Sequence, residues 1–139
     1  MRPAITLVSL LTILFLSFTT SKHVHLNETS ELQRWKFIGD KRVDFGVDRD
    51  VIHLGKMKDD FRKLMIKVTD GPVKMLDMKV YFDNGGVQDV QIRTLISQGG
   101  SSRVIDLEGG LRHLSKIEFW YETVGFAKGK ARVAVWGRR

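Results

Sequence analysis

From Leu32 onward, apolar and polar residues alternate in short runs separated by Gly, Pro, Asn and Asp, the spacing of an all-β domain. The clearest run is 64–69, with Leu64, Ile66 and Val68 on one face and Lys67 and Thr69 on the other. Asp70-Gly71-Pro72 stops it, because Pro lacks the N–H that a ladder needs. The next strand runs to Phe82, with Met78, Val80 and Phe82 opposed to Asp77, Lys79 and Tyr81. Asp83-Asn84-Gly85-Gly86 then predicts a hairpin with a type I′ turn, which requires positive φ at both Asn84 and Gly85. The return strand spans 87–96, and 103–107 follows the Gly99-Gly100-Ser101 turn.

Two further runs alternate cleanly. Over 115–121, Ile117, Phe119 and Tyr121 oppose Lys116, Glu118 and Trp120. Over 131–136, Ala131, Val133 and Val135 oppose Arg132, Ala134 and Trp136, and the short connection predicts that these two strands form a hairpin. Upstream, 35–38, 42–47 and 50–54 read as shorter strands, and 56–63 reads as loop rather than helix. Each strand has one apolar face, so two sheets must bury those faces against each other. The expected fold is an all-β antiparallel sandwich, jelly-roll-like, of about eight or nine short strands. A transmembrane barrel also alternates, but its strands need about 9–11 residues. Most runs here are shorter.

The start of the chain has a different pattern. Met1-Arg2-Pro3 precedes an apolar run over 4–18 and a small polar exit at Thr19-Thr20-Ser21, which describes a secretory signal peptide over 1–21. The run is shorter than the ~20 residues of a spanning helix. Thr19 and Ser21 supply the small residues that cleavage needs, so the mature chain should begin near Lys22. Residues 22–31 hold no period and read as a flexible lead-in, with a single sandwich domain over 32–139. The protein is expected to be exported (periplasmic, cell-surface or secreted) and not integral to the membrane after cleavage.

Composition refines this reading. The chain has no cysteine, so the domain must fold by burial and backbone pairing alone. That favours a bacterial envelope over a cross-linked extracellular module. The formal net charge is +7, which favours anionic partners. Export makes nucleic acid a poor candidate. An anionic envelope glycan or a lipid headgroup remains, or alternatively an envelope protein met by a structural or interaction module.

The inventory of reactive groups is thin. A cysteine nucleophile, a Gly-x-Ser-x-Gly elbow and a P-loop are all missing, and His23, His25, His53 and His113 stand in no catalytic context. These absences argue against an enzyme and call for no cofactor. Asp44, Asp48, Asp50, Asp59 and Asp60 are oxygen donors that calcium would suit, but strand parity makes them ordinary surface charges, so no metal site is assigned. The grouping that stands out is aromatic and basic. Trp120 and Trp136 fall on the polar parity of their strands, beside Lys116 and Arg132, with Arg103 and Arg112 nearby in sequence. Tryptophans on a polar sheet face can stack sugar rings or sit at a headgroup interface. Arg103, Arg112, Lys116, Trp120, Arg132 and Trp136 are therefore the candidate ligand-binding residues. Arg112 could equally serve as a turn-fixing donor.

Several segments carry a resemblance: Trp35-Lys-Phe-Ile-Gly39, Val43-Asp44-Phe45, Asp48-Arg49-Asp50-Val51-Ile52, Phe82-Asp-Asn-Gly85, Arg103-Val-Ile-Asp-Leu107, Gly110-Leu-Arg112, Ile117-Glu-Phe-Trp-Tyr121 and Ala131-Arg-Val-Ala-Val-Trp136-Gly137. In order and content they resemble a family of small, exported, uncharacterised bacterial proteins, classed as a domain of unknown function. The likeness runs from about Trp35 to Gly137. It implies export and a β fold, and it brings no activity with it, since most of the shared positions are apolar or glycine.

Overall fold

The alternation becomes strands in the computed structural model, which describes residues 34–44, 46–55, 59–125 and 130–139. The expected leader over 1–21 and lead-in over 22–31 lie outside the described residues. Among the described residues the strands are β1 (Lys36–Arg42), β2 (Val47–His53), β3 (Asp60–Phe61), β4 (Lys63–Thr69), β5 (Val73–Phe82), β6 (Val87–Ile96), β7 (Ile105–Asp106), β8 (Arg112–Thr123) and β9 (Arg132–Arg138). All pairings are antiparallel. A four-stranded sheet has the order β1-β9-β4-β7, and a five-stranded sheet has β2-β8-β5-β6 with β3 also on β8. The chain is an all-β sandwich.

The inward faces are those that parity selects. Leu64, Ile66 and Val68 of β4 and Val133 and Val135 of β9 meet Met78 and Val80 of β5 and Ile117, Phe119 and Tyr121 of β8, all essentially inaccessible to water. At about 25 cal/mol per Å² of apolar area removed from water, this layer is the main stabilising term. It does so without a disulfide.

Three expectations are corrected. First, β8 and β9 are not a hairpin: β8 lies between β2 and β5, and β9 lies between β1 and β4 in the opposite sheet. Both edges of β8 are occupied, so the chain after Thr123 must cross the sandwich to find a pairing edge. Second, the expected strand over 42–47 is not one element: Arg42 ends β1, Val47 begins β2, and Val43 and Asp44 belong to neither. Val43 turns inward to full burial while its N–H donates to the carbonyl of Ala131. Third, the β5–β6 turn is not type I′, since Gly85 has φ 87° while Asn84 is not in the positive region. The Gly85 N–H donates to the Phe82 carbonyl, and the Phe82 N–H donates to the Gly86 carbonyl. This is the pattern of a type I turn followed by a left-handed glycine bulge.

The space around a Cβ at Gly85 is open, so only backbone strain opposes substitution. Gly85→Val is expected to cost about 1–2 kcal/mol, measured as a lowered urea midpoint with unchanged slope. An unchanged midpoint would mean that the turn relaxes freely.

Candidate functional site

The candidate residues fall in separate places. Arg112 fixes two turns: its guanidinium carbon sits 3.7 Å from the Phe82 ring centroid. It donates to the Glu108 carbonyl at 2.8 Å and to Asn84 Oδ1 at 3.2 Å. Arg103 donates to the Gln91 carbonyl at 3.1 Å, covering the outer edge of β6. Lys116 and Trp120 share the outer face of the five-stranded sheet, where the Lys116 ammonium lies 4.3 Å from the Tyr81 ring centroid. Arg132 and Trp136 lie on the outer face of the four-stranded sheet. The two tryptophans expected to share one surface thus stand on opposite sides of the molecule, because β8 and β9 belong to different sheets.

The five-stranded face is closely paired. Glu118 is buried, accepting from Arg49 Nη1 at 3.0 Å and from the Tyr81 hydroxyl at 3.0 Å. That hydrogen bond, with burial and the adjacent negative charge, holds the Tyr81 proton more tightly than usual. Lys79 faces Asp89 at 3.5 Å and Lys74 faces Glu122 at 3.9 Å. Carboxylates and cations are nearly balanced here.

On the four-stranded face, antiparallel register sets Phe37 of β1, Trp136 of β9 and Met65 of β4 side by side in one row. Phe37 meets the Trp136 ring edge-on at 5.5 Å and remains 46% exposed. Trp35 continues the strip, with the Arg138 guanidinium 5.0 Å from its ring centroid, and the Lys67 ammonium stands 4.8 Å from that of Trp136. Such contacts are worth about 0.5–1 kcal/mol at exposed sites. The Trp136 Nε1–H is buried with no hydrogen-bond acceptor among the described residues. At these ladder positions Arg42, Lys63, Lys67, Arg132 and Arg138 share the face with Asp40 and Asp106, and the Asp70 carboxylate also acts on Arg132. Asp40 pairs with Arg132 and Asp106 with Lys63, and the Lys63 ammonium holds the Asp106 carboxyl below its ordinary range. Cations outnumber carboxylates at these positions, which leaves the face basic.

Parity placed Lys67 and Trp136 on polar faces, but the row itself was missed. Phe37 and Met65 become neighbours of Trp136 only through pairings of β9 with β1 and β4, which join distant parts of the chain.

The acidic residues weighed for calcium are dispersed. Asp50 accepts from the Tyr121 hydroxyl at 2.9 Å, Asp59 pairs with Lys36, and Asp60 lies 3.0 Å from His113 Nδ1. Among the described residues no group of three or more His, Cys, Asp or Glu is placed to hold a metal ion. No helix among them is long and apolar enough to cross a membrane.

The family described as Domain of unknown function (DUF2541) matches residues 7–137. The chain belongs to this family. Neither the curated proteins nor the solved structures contain a match to it. The DUF2541 match covers all of the sandwich but the last residue of β9, and attaches no chemistry to either outer face.

Proposed function

We propose that this DUF2541 protein is an exported, non-catalytic β-sandwich that binds anionic lipid headgroups of the cell envelope through the outer face of its four-stranded sheet. The observation that carries the reading is the Trp35–Phe37–Trp136–Met65 strip, set among cations that include Lys67 over Trp136 and Arg138 over Trp35. Aromatic rings favour the headgroup level of a membrane, where one end is apolar and the other wet. Each Lys or Arg near an anionic surface adds about 1 kcal/mol. Export rests on the pattern over 1–21.

The test is co-sedimentation of the processed protein, whose N-terminus is expected at Lys22, with phosphatidylglycerol vesicles and with phosphatidylcholine vesicles. Binding is expected to the anionic vesicles alone and to fade between low and high salt. Lys67→Glu should weaken it by about tenfold or more, since the reversal removes one attraction and adds one repulsion. Comparison of variants sharing one N-terminus cancels any contribution from that segment. Retention on an acidic polysaccharide but not on vesicles would assign the face to a glycan. Retention on neither would overturn the anion reading in favour of a protein-interaction module.

A further inference from the structure

On the opposite side of the sandwich, β5, β6 and β8 enclose a groove of about 510 Å³, lined among others by Leu76, Asp77, Lys79, Gln91, Arg93 and Trp120. This lies within the ~300–1,000 Å³ range of small-ligand sites. The groove is a product of irregular backbone. Both ladders of β5 shift register between Met75 and Asp77: against β8 Leu76 is an extra residue, whereas against β6 the extra residue is on β6, where Ile92 and Arg93 stand opposite Leu76. Across from it Arg93 adopts φ 43°, a left-handed conformation unfavourable for a side chain with a Cβ. Bulges that re-aim side chains and strained backbone both concentrate at functional sites.

The side chains there also differ from their surroundings. Elsewhere on this face the charges are mated, Arg49 with Glu118, Lys74 with Glu122 and Lys116 over Tyr81, and within the groove Lys79 pairs with Asp89. Inside the groove, the Asp77 carboxylate, the Gln91 carboxamide, the Arg93 guanidinium and the Trp120 indole N–H have no side-chain partner among the described residues. The rings of Trp35 and Trp136 are each engaged by a cation or another ring. The Trp120 ring is engaged by neither among the described residues. A flat indole thus stands beside an acceptor, a donor and an amide that offers both. That set complements a sugar ring, which has an apolar C–H face and a rim of hydroxyls. Asp77 and Asp89 are balanced by Lys79 and Arg93, so the groove suits an uncharged sugar over an acidic one.

We propose that this groove is a saccharide-binding site, separate from the basic face, that stacks a neutral sugar ring on Trp120 and reads its hydroxyl or acetamido groups with Asp77, Gln91 and Arg93. The two sites face away from each other, so the domain could hold a neutral glycan while seated on an anionic surface.

The experiment titrates the processed protein with tetramers of N-acetylglucosamine, of β-1,4-glucose and of α-1,4-glucose, and with tetragalacturonate as the acidic comparison. Binding is followed by calorimetry and tryptophan fluorescence. At least one neutral tetramer is expected to bind with Kd of about 1 mM or tighter, and more tightly than tetragalacturonate. Trp120→Ala should weaken that binding by at least about tenfold, while Trp120→Phe keeps most of it because the stacking face survives. Trp136→Ala should leave it unchanged. Melting curves check that each variant folds, and Asp77→Asn supplies the same readout should Trp120→Ala not fold. Failure of every neutral tetramer to bind at about tenfold higher concentration, preference for tetragalacturonate, or binding indifferent to both Trp120→Ala and Asp77→Asn would each overturn the proposal. None of these outcomes touches the vesicle result, which depends on Trp136 and Lys67.

Discussion

Gly137→Val is expected to abolish cooperative folding. Gly137 lies in β9 opposite Leu64 of β4, on the face that packs against the core. A Cβ built there would stand 2.6 Å from Phe61 Cε1 and 2.8 Å from Phe61 Cγ, well inside van der Waals contact. Phe61 is 1% exposed, and its short strand turns directly into β4 through Arg62. The ring therefore has no open side to move toward. Overpacking of a rigid core costs about 1–3 kcal/mol per added group and more where nothing can shift. A typical domain has only about 5–15 kcal/mol in total.

The smaller Gly137→Ala should leave a measurable two-state transition, with a loss of about 3 kcal/mol or more in urea. Phe61→Ala alone should cost about 3–5 kcal/mol by leaving a cavity. The double variant should lose clearly less than the sum, since the new methyl enters the space that the ring vacates. Losses that simply add would show that Phe61 is not the reason a glycine is needed.

The second large effect is expected at Tyr121. Its side chain is fully buried between the sheets, yet its hydroxyl reaches the segment joining β1 to β2. It accepts from the Asp44 backbone N–H at 3.0 Å and donates to Asp50 Oδ2 at 2.9 Å. Tyr121→Ala removes both the ring and this tie, for about 3–5 kcal/mol. Tyr121→Phe keeps the packing and should cost about 1–3 kcal/mol, because a partly buried N–H and a carboxylate lose their partner.

The pH dependence separates the two contributions. Burial, above all, raises the Tyr121 hydroxyl well above its ordinary pKa, with the Asp50 carboxylate adding to the effect. An acid harder to ionise in the folded state contributes stability that is fully present below the ordinary tyrosine pKa of ~10. That contribution is lost as pH rises toward the folded value. Alkaline unfolding monitored by circular dichroism should therefore steepen above about pH 10 and be shallower in Tyr121→Phe. Tyr81, whose proton is also held more tightly, retains part of the slope. Identical slopes in wild type and Tyr121→Phe would mean that the hydroxyl is not the titrating group.

Tyr121 and Trp120 show where reading the chain in one dimension succeeds. Adjacent residues of a strand point to opposite faces whatever the strand pairs with. The alternation over 115–121 therefore determines from the sequence alone that Tyr121 is core and Trp120 is not. The same holds for Leu64, Ile66 and Val68, and for the stop at Asp70-Gly71-Pro72. A two-layer β fold follows from those faces, since each has to be buried.

Local periodicity carries no information about partners. Whether β8 and β9 meet was decided by competition for edges: β2 and β5 occupy β8, and β1 and β4 occupy β9. That competition put Trp120 and Trp136 on opposite sides of the molecule and brought Phe37 and Met65 beside Trp136 from distant parts of the chain. The groove at Trp120 is likewise tertiary, because the extra residue Leu76 and the left-handed Arg93 arise where two ladders change register. Parity assigns a residue to a face. Only the long-range pairing, stabilised jointly by all the strands, decides which residues share one.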